Sequence, residues 1–383
     1  MKIAHLDTHI VSVPYRHREN SARVRRDGVT AALVRLETDD GLVGWGECCP
    51  GPNIESINAI ICAAAPIVLG RDPWNSEELA QHFFHTAHWD LREMSGNFAY
   101  AGIDMALRDL QGKACGQPLY RLMGGCVRKE VDYFCYLAAG HPDSVAAQAT
   151  DALAQGYSVY YLKVGIDFPS ELDQVAALRE AIGPEGKIRI DANGAWTVAE
   201  AVRHLEAFDR YAIDFAEQPV SQDPVRNMAE LRGKTRVPLA ANEGLWRRAD
   251  VWEVIRHRAA DILCFSPYWV GTLSEFQRFA YAAANEGLQV CRHTHGELGL
   301  MAAASHQVCL TLPNLVSGNQ QTAAIMEGDI LTEKLPIAEG PRWGLPEGVG
   351  LGVDVDMAQV ETYAALFRDH GQFLPYRPEM FED

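Results

Sequence analysis

Three carboxylates stand at regular intervals in the second half of the chain. They are Asp191 in IRIDANGAW, Glu217 in IDFAEQP and Glu243 in PLAANEGL, each 26 residues from the next. Each closes or closely follows a short apolar run. A spacing locked to a structural repeat places such residues at equivalent points of successive units, where they would converge. Uncompensated carboxylates at close range repel one another. A hard divalent cation resolves that conflict, and all-oxygen ligation with open positions suits Mg²⁺, one per subunit. A single acid at such a turn could equally be a helix N-cap. Three in phase with the repeat point to a site.

One lysine stands close to this group in the repeat. Only 7 of the 34 basic residues are lysines, and Lys163 lies in the apolar, aromatic run VYYLKVG. Tyr161 and Lys163 share a face, because strand side chains alternate. A desolvated lysine beside a cation has a lowered pKa and can act as a base. The competing reading is a purely structural salt bridge to Asp191. Two histidines, His293 and His295, follow the run ending in Cys291-Arg292. A His-x-His pair can also hold zinc, but the other strand-end candidates are carboxylates. Asn193, Ser266, Tyr268 and Trp269 are the candidate substrate-binding residues. The aromatics Tyr136, Tyr161, Trp246, Tyr268 and Trp269, at or near strand ends, make a pocket less polar than a polyhydroxylated acid would need. The stripe His82, His85 and His88 reads as solvated or core residues, although His85 with Trp89 could belong to a lid.

What positions these groups is a repeat of short β-rich runs. The runs are Val131–Leu137, Val159–Val164, Lys187–Asp191, Ile213–Glu217, Pro238–Ala241, Asp261–Phe265, Leu288–Arg292 and Leu315–Gly318, starting 23 to 28 residues apart. Helical patterns separate them, such as Ser170–Ile182 and Thr197–Phe208, the latter opened by a Thr197/Glu200 capping box. Eight βα units predict a modified (β/α)8 TIM-type barrel, with its chemistry at the C-terminal strand ends. An open doubly wound sheet is disfavoured, because no G-x-G-x-x-G follows the first strand. Residues 1–125 break the repeat. Ile3–Val13 and Thr30–Thr38 alternate as antiparallel strands, and helical stretches Glu55–Leu69 and Asn97–Ala114 follow, predicting an α+β capping domain. Residues 126–320 form the barrel. The Gly- and Pro-rich segment 321–383 returns to the capping domain. Residues 14–29 are expected to be a mobile loop over the site.

Composition limits the remaining possibilities. The chain has 383 residues, 48% hydrophobic and 22% charged, which are globular values. A formal charge of −17 argues against a nucleic-acid partner. No apolar run is long enough to span a bilayer, and the first residues lack a secretory pattern. Nine cysteines, odd in number and without Cys-x-x-Cys spacing, read as reduced thiols in the cytoplasm.

The residues resemble a known family, the mandelate racemase and muconate lactonizing branch of the enolase superfamily. GLVGWGECCP around Glu47, AGIDMALRDLQGKACGQPLYRLMGG at 101–125, IRIDANGAW and DFAEQP carry the resemblance. It implies Mg²⁺ at the ends of barrel strands three to five, with Asp191 and Glu217 as ligands. The third ligand falls at Glu243, with Asn242 as the alternative. It also implies removal of a proton α to a carboxylate, with a Lys or His base beside Mg²⁺, and a homo-oligomer. The departures are informative. Where relatives carry Lys-x-Lys, Tyr161 replaces the first lysine and Lys163 is the surviving base. Ser266 stands where relatives carry a second lysine or the aspartate partner of the histidine matching His293.

A racemase needs a base on each face of the α-carbon, and here one face is depleted. An elimination needs one base and one acid, which Lys163 with His293, His295 or Tyr161 could supply. The expected reaction is therefore dehydration of a small 3-hydroxy carboxylate, cis-3-hydroxy-L-proline above all. The alternatives are a racemase or epimerase of a proline-like or N-substituted amino acid, and an acid-sugar dehydratase. A degenerate, non-enzymatic barrel would require the carboxylate triad to be lost.

Overall fold

The computed structural model describes residues 1–49, 53–85 and 95–374. Three antiparallel strands open the chain: β1 (Ile3–Asn20), β2 (Arg25–Thr38) and β3 (Val43–Cys48). The pairing of β1 with β2 continues to Glu19↔Arg26 and Asn20↔Arg25. Residues 14–29 are therefore not a loop. They are the outer half of a long hairpin whose turn spans only residues 21–24. Polar side chains suited to solvent disguised its strand character.

The helix Asn97–Ala114 lies across β3 and is buried along nearly its whole length. This packing explains the glycines of GLVGWGE. A Cβ on Gly46 would overlap the Gly102 carbonyl, and one on Gly102 would overlap the Cys48 sulfur. The backbones approach too closely for any side chain between them.

A curled, parallel seven-stranded sheet follows. Its strands are β5 (Cys135–Leu137), β6 (Val159–Lys163), β7 (Lys187–Asp191), β8 (Ile213–Glu217), β9 (Leu239–Ala241), β10 (Ile262–Phe265) and β11 (Gln289–Arg292), in sequential order. The helices Phe168–Ile182 and Val198–Asp209 sit between strands, and Thr197 and Glu200 form the capping box. Two expectations are corrected. The run Val131–Leu137 divides: β4 (Glu130–Asp132) leaves the sheet to pair antiparallel with β12 (Arg342–Gly344), and only its end becomes β5. The eighth run is not a regular strand. Val316 N–H reaches Val290 O at 2.8 Å and Phe134 N–H reaches Asn319 O at 3.0 Å, so segment 315–320 joins the two edges of the sheet. The ladder is broken there by Gly318 at φ 65°. Beside it the Asn319 side chain, rather than backbone, accepts from Arg292 N–H at 2.9 Å.

The far end of the chain lies against the first sheet. The helix Met357–His370 packs on β1. Ser12 Oγ donates to Gly371 O at 3.0 Å, and Phe373 N–H donates to Thr30 Oγ1 at 2.9 Å. No helix among the described residues is long and apolar enough to cross a membrane.

Candidate active site

The parallel register brings the candidate residues level. Lys163 pairs with Asp191, and Asp191 pairs with Glu217, each the last residue of its strand. Glu243 lies two residues beyond β9. All three acids are buried or nearly so.

A hydrogen-bond network links them. Asp191 Oδ2 accepts from Lys163 Nζ at 2.6 Å and from the Tyr161 hydroxyl at 2.5 Å. Asp191 Oδ1 accepts from Asn193 N–H at 2.8 Å. The Asn193 amide also donates to Glu243 Oε1 at 2.8 Å, and its oxygen accepts from Lys163 Nζ at 3.1 Å. Asn193 sits at φ 46°, a left-handed conformation that asparagine tolerates. It thus organises the carboxylates as well as lining the cavity. Gln320 Nε2 donates to Glu217 Oε2 at 2.7 Å.

The electrostatics follow from this packing. Burial, followed by the Asp191 charge, pushes Glu217 well above the usual carboxylate range and Glu243 up to about 7. For Lys163 burial and its acidic neighbours act in opposite directions. Burial acts to lower it, but Asp191 and then Glu19 more than offset that, so its ammonium is held above the ordinary lysine value.

As oriented, no three His, Cys, Asp or Glu side chains among the described residues are gathered into ligand geometry. The donor set nevertheless fits a hard cation. Glu217 Oε1 and Glu243 Oε2 are buried without any hydrogen-bond partner. Two orphaned carboxylate oxygens beside a third carboxylate are costly unless a cation satisfies them. Asn242 stays the alternative third ligand: its amide donates to Cys264 O at 2.8 Å and its N–H to Gln218 Oε1 at 2.7 Å, and neither bond occupies the side-chain oxygen that would face a cation.

Five strands along the sheet from Lys163, just beyond the end of β11, stand the histidines. His293 Nδ1 lies 3.1 Å from Ser266 Oγ, and its ring packs on Trp269 with centroids 4.4 Å apart. Burial, reinforced by the proximity of the His295 ring and by the Lys163 charge, holds His293 well below the usual histidine range. Burial and then Arg26 bring His295 to about 3. Both rings are neutral at pH 7.

The cavity is small, about 90 Å³, and its wall includes Lys163, Asn193, Asn242, Glu243, Trp269, His293 and His295. Tyr136 and Trp246 complete an aromatic side, and Tyr161 stacks on Phe134 at 4.6 Å. Two predicted substrate-binding residues are not on this wall. Ser266 is fully buried behind His293. Tyr268 turns into the packing against Phe98, with its hydroxyl accepting from His295 N–H. His85 lines a different cavity, with Phe84 and Asn97. His88 and Trp89 lie outside the described residues.

Sequence reasoning missed several wall residues. Glu19 and Arg26 reach the cavity from the hairpin, and Gln320 and Gln321 reach it from just beyond segment 315–318. The strand-end rule applied to the eighth run would have found the glutamines. Glu19 and Arg26 carried no such signal.

Residues 144–359 match the enolase C-terminal domain-like family, and residues 6–124 match the N-terminal domain of mandelate racemase and muconate lactonizing enzymes. The chain belongs to the mandelate racemase/muconate lactonizing family of the enolase superfamily. Within that family it is 30% identical to the D-galactarolactone cycloisomerase of Agrobacterium fabrum, over 93% of this chain and 97% of the relative. It is 31% identical to a probable glucarate dehydratase of Streptomyces coelicolor, over 88% of this chain and 85% of the relative. The N-succinyl Arg/Lys racemase of Bacillus cereus superposes with a TM-score of 0.88 at 25% identity, covering 95% of this chain and 98% of that one. Its relatives in this family thus include cycloisomerases, racemases and dehydratases.

Proposed function

We propose that the protein is a Mg²⁺-dependent lyase that removes the α-proton of a small 3-hydroxy carboxylate and expels water, with cis-3-hydroxy-L-proline as its substrate. The observation that carries this reading is the asymmetry of the cavity. Lys163 stands on one side in a charged network. On the other, His293 has a serine hydroxyl at its ring nitrogen rather than a carboxylate. A racemase needs an effective base on both sides, whereas an elimination needs a base on one and a proton donor on the other.

Asp191, Glu217 and Glu243 would hold Mg²⁺, which supplies positive charge against the dianion that forms when a carboxylate loses its α-proton. The chain's own groups do the rest. Lys163 Nζ takes the α-proton. In the resting arrangement its ammonium donates to Asp191 and Asn193, so it must first release one proton to solvent and act as the neutral amine. In cis-3-hydroxy-L-proline the hydroxyl and the α-proton lie on opposite faces of the ring. The donor to the departing hydroxyl must therefore face Lys163. In the tautomer where Ser266 donates to Nδ1, His293 presents Nε2–H to the departing hydroxyl, and the proton it delivers is restored through solvent by the one Lys163 has taken from the α-carbon. The enamine left after loss of water tautomerises to a Δ1-pyrroline carboxylate. The small volume and aromatic wall suit a five-membered ring better than an extended polyhydroxylated acid.

Purified protein with Mg²⁺ should convert cis-3-hydroxy-L-proline to that ketimine; absence of the product overturns the assignment. A racemase or epimerase of a proline-like or N-substituted amino acid is the second reading. It is favoured by the position of His293 on the cavity wall and by the racemase among the relatives.

A further inference from the structure

One carboxylate on the cavity wall has no part in the carboxylate triad. Glu19 sits on β1 directly opposite Arg26 on β2, near the tip of the hairpin. Both side chains are largely enclosed, at 13% and 6% exposure. Arg26 donates to Glu19 twice, from Nε at 3.0 Å and from Nη2 at 2.6 Å, and both bonds end on Oε2. No hydrogen bond from the described residues reaches Oε1. Arg26 is committed elsewhere too, since Nη1 donates to His295 O at 2.7 Å. The pair is therefore a fixed carboxylate with one free oxygen, not a free guanidinium awaiting an anion.

We propose that Glu19 Oε1 receives a cationic nitrogen of the substrate, so that the cavity selects an amino carboxylate over a neutral hydroxy acid of the same shape. This deepens the reading above, since a ring ammonium is what separates hydroxyproline from other small 3-hydroxy acids. The surroundings agree. Burial works against the Glu19 charge, but Arg26 and then Lys163 outweigh it and hold the carboxyl below its usual range. The neighbouring His295 is held neutral, which leaves Arg26 and Lys163 as the cations that act most strongly on Glu19 among the described residues. The hairpin is anchored where it must be. Arg23, in its turn, donates to Asn193 O at 2.7 Å and Gly194 O at 3.0 Å, in the loop that follows Asp191. Glu19 is thereby held at a set distance from the carboxylate-binding end of the cavity. An ammonium taken from water into such a site needs an anionic partner.

The test compares two ligands that differ at one ring atom, L-proline and (S)-tetrahydrofuran-2-carboxylate. Binding is measured by calorimetry on the full chain with saturating Mg²⁺. The wild type should prefer proline by about tenfold or more, the worth of one charge-assisted hydrogen bond. Glu19→Gln should erase the preference while still binding the ether acid. A double variant, Glu19→Gln with Arg26→Gln, removes both charges and leaves no unpaired cation, and should give the same result. Equal binding of the two ligands by the wild type overturns the proposal, as does a proline preference that survives in both variants. If the preference is present and depends on Glu19 but cis-3-hydroxy-L-proline is not dehydrated, the dehydratase reading fails while this inference stands.

Discussion

In the proposed reaction Lys163 and His293 divide the chemistry, and separate substitutions should expose the division. Lys163→Ala removes the group proposed to take the α-proton. Exchange of that proton with solvent should fall by about 10² to 10⁴, the usual contribution of a positioned base. Undiminished exchange would remove Lys163 from the role. His293→Asn keeps a polar side chain beside Ser266 but lacks the ring nitrogen that faces the departing hydroxyl. Exchange should persist and dehydration should drop, which is a split that deuterium incorporation and product formation report separately. These residues were legible in the sequence because strand ends in a parallel barrel face one mouth, and register does the rest. Glu19 and Arg26 were not. They lie in PYRHRENSARVRRDGV, where five arginines look like a solvated loop. Only the pairing of β1 with β2 turns two of its charges inward.

At the scale of elements, the stretches that carried the family resemblance prove to join the domains. Glu47, the penultimate residue of β3, accepts from Leu298 N–H at 2.7 Å and Met301 N–H at 2.9 Å, capping the helix Gly299–Cys309 of the barrel. Asp104 accepts from Leu273 N–H at 2.8 Å, at the start of the helix Leu273–Asn285. Asp109 accepts from Trp45 N–H and Leu351 N–H, both at 2.9 Å. Asp329 caps the same helix as Glu47, with Gly299 N–H at 3.0 Å. Burial pushes Asp329 up to about 6. A carboxyl with a raised folded pKa binds its proton more tightly in the native state, so stability falls as pH rises from its unfolded value toward its folded one. Asp329→Asn keeps the accepting oxygen and removes the titration. Between about pH 4 and 6 the wild type should therefore lose up to about 3 kcal/mol relative to this variant. Urea unfolding at several pH values measures this, and parallel curves would contradict it. The eighth strand was the element least legible in sequence. Its β-rich residues are present, but Gly318 and the Asn319 side chain interrupt the ladder.

For the whole molecule, the barrel and the hairpin over its mouth are one functional unit. The first sheet supplies Glu19 and Arg26, the barrel supplies the carboxylates and Lys163, and segment 315–320 supplies Gln320. Buried and partly unsatisfied, those carboxylates destabilise the fold until a cation compensates them. Mg²⁺ should therefore raise the Tm of the wild type over its value in chelator, and Glu217→Gln should lose most of that increment. An equal increment in the variant would exclude Glu217 as a ligand. The proposed dehydration turns on the fate of two groups on adjacent carbons, which proton NMR follows together. The decisive spectrum is that of cis-3-hydroxy-L-proline with enzyme and Mg²⁺ in D₂O. Loss of the α-proton signal together with elimination of the 3-hydroxyl is the expected result. Exchange of the α-proton with the hydroxyl retained would contradict it and assign the cavity to a racemase.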